Sequence, residues 1–194
     1  MPNPLYGLIL AGGKSTRMGR DKSALVYHNG KDQVCYLNEV LRPFVDRVFV
    51  SVRNAQTSKV HLQDYDVIED ARDIASPLNG ILSAMDMSPA ASWLVVAVDM
   101  PYINATAVKT LLNKRNSEKT ATCFASPVKS GPDPLFAVWE AHAKAEIEEL
   151  VAQAAITCPR KTLIRLMANI VKNGVNEKVL SNINTPQEYR EALL

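Results

Sequence analysis

No run of this sequence approaches the roughly 20 consecutive apolar residues that a membrane-spanning helix needs. Its N-terminus, MPNPLYGLILAGG, has no charged n-region ahead of its short apolar run, so that run is expected as a first strand and not as a secretory signal. Cysteine is scarce. Cys35, Cys123 and Cys158 are odd in number, far apart and without C-x-x-C spacing. That argues against a disulfide framework or a thiolate metal site and fits reduced thiols in a cytoplasmic protein. Neither sign of charge is in excess: 22 Lys and Arg against 20 Asp and Glu leave +2. Such a balance does not favour nucleic acid as the main partner, and the sequence lacks the aromatic platforms on which bases stack. The three histidines, His28, His61 and His142, are scattered, and none lies near a Ser or Cys in a nucleophile–base pattern.

Two familiar phosphate loops are also missing. The Walker A spacing G-x-x-x-x-G-K-[ST] would need Gly at the position of Leu8 to match the GKS at 13–15, and Gly7 is one residue too early. The dinucleotide fingerprint G-x-G-x-x-G is absent as well. Repeats and low-complexity segments do not occur.

What is present is an alternation of two hydrophobic periods in 194 residues, a length that suits one domain over 1–194 with a full core. YGLILA, RVFVSV, YDVIED and WLVVAVD read as strands, the first and last apolar on both faces. Between them, QVCYLNEVLRPFV carries apolar residues at helical spacing. SPLNGILSAM reads as a helix with Ser76 as N-cap and Pro77 at the first helical position. NATAVKTLLNKR follows as a helix capped by Asn104, and TATCFA and PLFAVW as two more strands. The C-terminal quarter predicts amphipathic helices in AHAKAEIEELVAQA and TLIRLMANI, a last strand in EKVLSNIN, and a closing helix with a capping box from Thr185 and Glu188. This order implies an α/β fold, a three-layer αβα Rossmann-like domain with a mostly parallel sheet. In such sheets ligands sit beyond the carboxyl ends of the strands, which points to the loops after residues 10, 51, 70 and 99.

Those loops carry the chemistry. After the first strand comes Gly12-Gly13, where bare backbone N–H groups can form an anion-binding nest. Lys14, Arg17, Arg20 and Lys22 follow and concentrate positive charge. Asp99 stands at the end of a strand that is otherwise fully apolar. A charge buried there needs a partner, and a divalent cation such as Mg²⁺, held by one or two carboxylates plus phosphate oxygens, is a natural one. Asp70 closes the third strand beside Glu69 and Asp73 and is the best placed of those acids to accept hydrogen bonds from a base or to help place a metal. Gly80, in the first turn of a helix, implies close approach of either a ligand or the sheet.

Taken in order, LAGGKSTRMGRDK, VIEDARD, SPLNGILSAM, VDMPYI and NINTPQEY resemble the MobA-type molybdenum cofactor guanylyltransferases of the GT-A-like nucleotidyltransferase superfamily, over Leu10 to about Tyr189. The Gly12-Gly13 pair leans toward guanine, since cytidylyl relatives usually show AAG. The resemblance implies that Leu10, Ala11, Gly12, Gly13 and Lys14 line the nucleotide, that Lys22 contacts phosphate and that Asp70 lies in the guanosine site. It implies Mg²⁺ on Asp99 and catalytic roles for Lys22, Asp99 and Arg17. Gly80, Asn182 and Asn184 match positions associated with the pterin. GTP and molybdopterin are then the substrates, with molybdoenzymes or their chaperones as recipients of the product, and neither nucleic acid nor membrane as a partner. Ser51 stands where the family often has Asn; it is expected to contact the nucleotide, without the amide's paired donor and acceptor. Ser76 replaces a Gly of some relatives, and the stretch from Lys119 to Asp133, which matches least, is expected to face the second substrate. A cytidylyltransferase, transfer to another phosphate acceptor, and a non-catalytic nucleotide-binding protein are the competing readings.

Overall fold

The computed structural model describes residues 3–13, 18–19, 21–53, 60–128 and 130–193. Its centre is a sheet in the strand order β5-β4-β1-β6-β8-β7-β9. The strands are β1 (Leu5–Leu10), β4 (Arg47–Val52), β5 (Asp66–Glu69), β6 (Ser92–Ala97), β7 (Ala121–Ala125), β8 (Pro132–Trp139) and β9 (Asn169–Val171). β2 (Val26–His28) and β3 (Lys31–Asp32) form a separate antiparallel hairpin. Asn29 and Gly30 turn it with positive φ at both positions, as a tight hairpin requires. β8 runs antiparallel to both its neighbours, β6 and β7; the other pairings in the main sheet are parallel.

Alternation along the strands sends side chains into two cores. Ile9, Val50 and Val96 face α1 (Gln33–Leu41) and α3 (Ala105–Asn113). Leu8, Phe49 and Val95 face α2 (Leu78–Met87), α4 (Ala143–Ala154) and α5 (Pro159–Arg165) on the other side. This is the expected three-layer arrangement, and it buries β6 at every residue, which explains its unbroken apolar run. Asp32 and Asn104 cap α1 and α3 through their side chains. The capping box of α6 (Pro186–Ala192) forms as expected, with Thr185 and Glu188 satisfying each other's backbone.

Three expectations require correction. α2 begins one residue later than predicted, with Pro77 in the cap position and Ser76 preceding it. The Ser76 hydroxyl accepts from Leu78 N at 3.1 Å and donates to the Thr157 carbonyl. TLIRLMANI is not one helix. α5 stops at Arg165, and Met167 adopts φ +48°. Met167 N donates to the Ile164 carbonyl and Ala168 N to that of Leu163, the pair of bonds that closes a helix by the Schellman route. The chain then pairs with β7 as β9. EKVLSNIN is not a strand either. Glu177–Leu180 form a 3-10 turn capped by Asn176, and the following residues cross the mouth of the sheet, where Ile183 N donates to the Asp99 carbonyl at 2.8 Å.

Candidate nucleotide site

Register places the site. Leu10 pairs with Ser51 on β4 and with Ala97 on β6, so three carboxyl ends finish level. Beyond them the backbone stays tied: Ala11 N donates to the Ser51 carbonyl at 2.8 Å, Val98 N to that of Leu10 at 3.1 Å, and Asp70 N to that of Val52 at 2.8 Å. A cleft of about 340 Å³ opens over these ends. The sheet therefore presents its ligand groups from a rigid floor, which is where open α/β sheets bind ligands.

Most of the residues expected from the sequence line this cleft: Leu10, Ala11, Gly12, Gly13, Lys22, Ser51, Asp70, Gly80, Asp99 and Asn184. Lys14 and Arg17 lie outside the described residues. Asn182 is held just behind the wall, its Nδ2 donating to Asp99 Oδ1 at 2.8 Å.

At one end of the cleft Lys22 is fixed by a 3-10 turn whose N-cap is Asp21. Its Nζ donates to Asp99 Oδ2 at 3.1 Å and to Asn184 Oδ1 at 2.7 Å. Both oxygens of Asp99 are thus engaged, one by a cation and one by an amide, which answers the desolvation cost of a mostly buried carboxylate. Asn184 N in turn donates to Glu188 Oε2, and hydrogen bonds from Asn184 N and Thr185 N hold the Glu188 carboxyl below its ordinary pKa. The C-terminal helix cap and the site share one carboxylate.

At the other end Ser51 Oγ donates to Asp70 Oδ1 at 2.8 Å. Burial raises the Asp70 pKa; the Ser51 hydrogen bond and the positive charge of Arg53 oppose that shift. Gly80 packs directly on this pair, since a Cβ there would lie 2.2 Å from Ser51 Oγ and 2.9 Å from Leu10 Cδ2. A Cβ on Gly12 would come 3.0 Å from Asp70 Oδ2. Both glycines are explained by close approach of the sheet, helix and loop to one another. Ser51 has a single proton, and it is used on Asp70, so toward a ligand its hydroxyl oxygen can act only as an acceptor.

Sequence reasoning missed Met18, Arg53, Val98 and Leu135, which also line the cleft. Arg53 had a signal: it follows Ser51 by two residues, and strand alternation puts both on one side of the sheet. Leu135 had none, because its strand runs antiparallel to β6 and arrives from a distant part of the chain.

Among the described residues no group of three or more His, Cys, Asp or Glu side chains converges on one point. Asp99 offers one carboxylate, whose oxygens each keep a second lone pair beside the bonds to Lys22 and Asn182. That suits an ion that takes one or two carboxylates and completes its shell with phosphate and water, as Mg²⁺ does.

A family model described as the MobA-like NTP transferase domain matches residues 7–176. The chain belongs to that family. A "Molybdenum cofactor biosynthesis bifunctional protein" from Synechocystis sp. is 32% identical over 186 residues, covering 96% of this chain but 53% of that protein. This chain thus spans about half the length of that relative. A "Molybdenum cofactor guanylyltransferase" from Pseudomonas aeruginosa is 29% identical over 186 residues, covering 95% of this chain and 92% of the relative. Among solved structures, the molybdopterin-guanine dinucleotide biosynthesis protein A of Archaeoglobus fulgidus superposes with a TM-score of 0.75 at 23% identity, over 96% of each chain. The MobA-like domain thus has the GT-A-like nucleotidyltransferase fold expected from the motifs.

Proposed function

We propose that this MobA-like chain transfers GMP from GTP to the terminal phosphate of molybdopterin, releasing pyrophosphate and forming the guanine dinucleotide form of the cofactor. The observation that carries the reading is the meeting of Lys22, Asp99, Asn182 and Asn184 at the head of the glycine pair. Residues from three distant parts of the chain converge there, and they supply one lysine cation, one carboxylate and two amides beside the glycine pair.

In the reaction a terminal phosphate oxygen of the pterin forms a bond to the α-phosphorus of GTP. The bond from that phosphorus to the bridging oxygen breaks, and the electron pair leaves with pyrophosphate. No protein nucleophile is required, so the chain's work is positioning and charge stabilisation. The N–H groups of Gly12 and Gly13 donate to phosphate oxygens. Lys22 moves from Asp99 and Asn184 onto the triphosphate and offsets the charge of the leaving group; Lys14 and Arg17 of the same loop add to it. Asp99 and its Asn182 partner would hold Mg²⁺, which when bound neutralises triphosphate charge. Asp70 accepts hydrogen bonds from guanine. Asn184, beside Lys22 and Asp99, forms the edge toward the pterin; Gly80, expected from the sequence on that side, packs instead against Ser51 and Asp70 at the guanine end. No helix among the described residues is long and apolar enough to cross a membrane, and we place the reaction in the cytoplasm, with molybdoenzymes or their chaperones receiving the product.

Incubation with α-labelled GTP and molybdopterin tests this directly. Label in a pterin dinucleotide is the expected result. Label that remains in GTP and GMP while the protein binds GTP would replace the reading with a nucleotide-binding role or another phosphate acceptor.

A further inference from the structure

Arg53 lies in the cleft wall, yet neither the anion-binding loop nor the Lys22–Asp99 end accounts for it. β4 ends at Val52, and Arg53, the next residue, lines the cleft together with Ser51. Its stem lies against Gly12: Arg53 Cγ is 3.4 Å from where a Cβ on Gly12 would stand. Its charge acts on Asp70. The neighbouring Ser51 proton is already given to Asp70 Oδ1 at 2.8 Å, while Asp70 Oδ2 faces Gly12. The other cationic side chain of the described wall, Lys22, is held at the opposite end by Asp99 and Asn184. At the Asp70 end, therefore, the cationic side-chain donor is Arg53, set beside a carboxylate acceptor.

Resting on the guanylyl-transfer reading, we propose that Arg53 is a specificity-determining residue that donates to the C6 oxygen of guanine while Asp70 accepts from the adjacent N1–H. Guanine presents this acceptor and donor side by side, and a guanidinium is the side chain best matched to its O6 edge. Donor and acceptor thus stand side by side on the cleft wall before the base arrives.

Binding of GTP, ITP and 2-aminopurine ribonucleoside triphosphate to wild type, Arg53→Ala and Arg53→Gln tests this. GTP and ITP keep the C6 oxygen; the third nucleotide lacks it. Arg53→Ala is expected to weaken GTP and ITP by roughly 10-fold or more and to leave the 2-aminopurine nucleotide within about 2-fold of wild type. Arg53→Gln, which retains one donor, should fall between. Melting curves check that the variants fold, and both substitutions sit at a strand end outside the two cores. An equal loss for all three nucleotides, matched by a loss for pyrophosphate, would make Arg53 a phosphate contact and overturn the proposal. No loss for any of them would overturn it too. Wild type that binds GTP no tighter than CTP would instead sink the guanine reading itself, and the Arg53 assignment with it.

Discussion

Lys22 and Asp99 stand 77 residues apart in the chain and meet at 3.1 Å, Nζ to Oδ2. Their side chains are only 14% and 20% exposed, so the pair is a guarded one and not a solvated surface bridge. The lysine is presented by the loop after β1 and the aspartate by the end of β6, two neighbouring strands whose register holds both. A triphosphate entering this space competes with Asp99 for the lysine, and the lysine has a second anchor in Asn184.

Lys22→Ala is therefore expected to fold normally and to lose about 2–4 kcal/mol of transition-state stabilisation, by analogy with the removal of an oxyanion donor. Steady-state kinetics give the loss as kcat/KM, and a melting curve checks the fold. A variant with kcat/KM within a factor of two of wild type would remove Lys22 from the reaction. Asp99→Ala is expected to abolish turnover with the fold retained; full activity in that protein would end the metal assignment.

Gly80→Ala brings a methyl group to 2.2 Å from Ser51 Oγ and 2.9 Å from Leu10 Cδ2. Overpacking at such a contact costs about 1–3 kcal/mol. The substitution should lower the midpoint of urea unfolding and weaken nucleotide binding together, because Ser51 can yield only by letting go of Asp70. Adding Ser51→Gly should restore part of the stability. A Gly80→Ala protein as stable as wild type would mean that α2 shifts freely against the sheet.

Asp70 predicts opposite effects on stability and function. Its pKa in the folded protein is raised, by burial first, so the neutral form is favoured by folding. The sign follows: the contribution of this group to stability is fully present below its unfolded pKa and is lost as pH rises through the folded pKa. At neutral pH the charged carboxylate is a strain on the fold kept for binding. Asp70→Asn should leave the melting temperature at pH 7 unchanged or higher, with the Ser51 bond kept to the amide oxygen, while GTP affinity falls. A lower melting temperature with unchanged affinity would contradict both halves.

Arg115 and Glu140 provide a contrast at the far end of β6. Arg115 makes two bonds of 2.7 Å to Glu140, whose side chain is 4% exposed and also accepts from Ser92 Oγ at 2.7 Å. Arg115→Ala leaves that carboxylate buried beside a single hydroxyl and should cost about 3–5 kcal/mol of stability. Since Ser92 opens β6 and the cleft lies beyond Ala97, kcat per folded molecule should not change.

The parts of the fold that were legible in the sequence are those whose burial leaves a periodic trace. β1 and β6 are buried on both faces and appear as unbroken apolar runs; the α6 capping box is a local contact four residues long. β9 left no such trace. It has three residues, one of them exposed, and Ile170 continues the helical spacing of Leu163 and Leu166, so only the reversal at Met167 and the partner strand β7 distinguish it. The site divides the same way. Gly12, Asp70 and Asp99 were visible because each follows the end of a strand with a residue type that burial alone would not choose, and Lys22 because it belongs to the run of basic residues after β1. The dependence of Ser51 on Asp70, the packing reason for Gly80 and the presence of Arg53 in the wall are relations between segments, and they exist only once the strands are in register.

Pyrophosphate release by the purified protein with Mg²⁺ and molybdopterin, offered GTP, CTP, ATP and UTP separately, tests the central claim most directly. Release with GTP alone is the predicted result. Release with CTP in place of GTP would contradict the base assignment at Asp70 and Arg53, and silence with all four, while GTP still binds, would contradict transfer to the pterin.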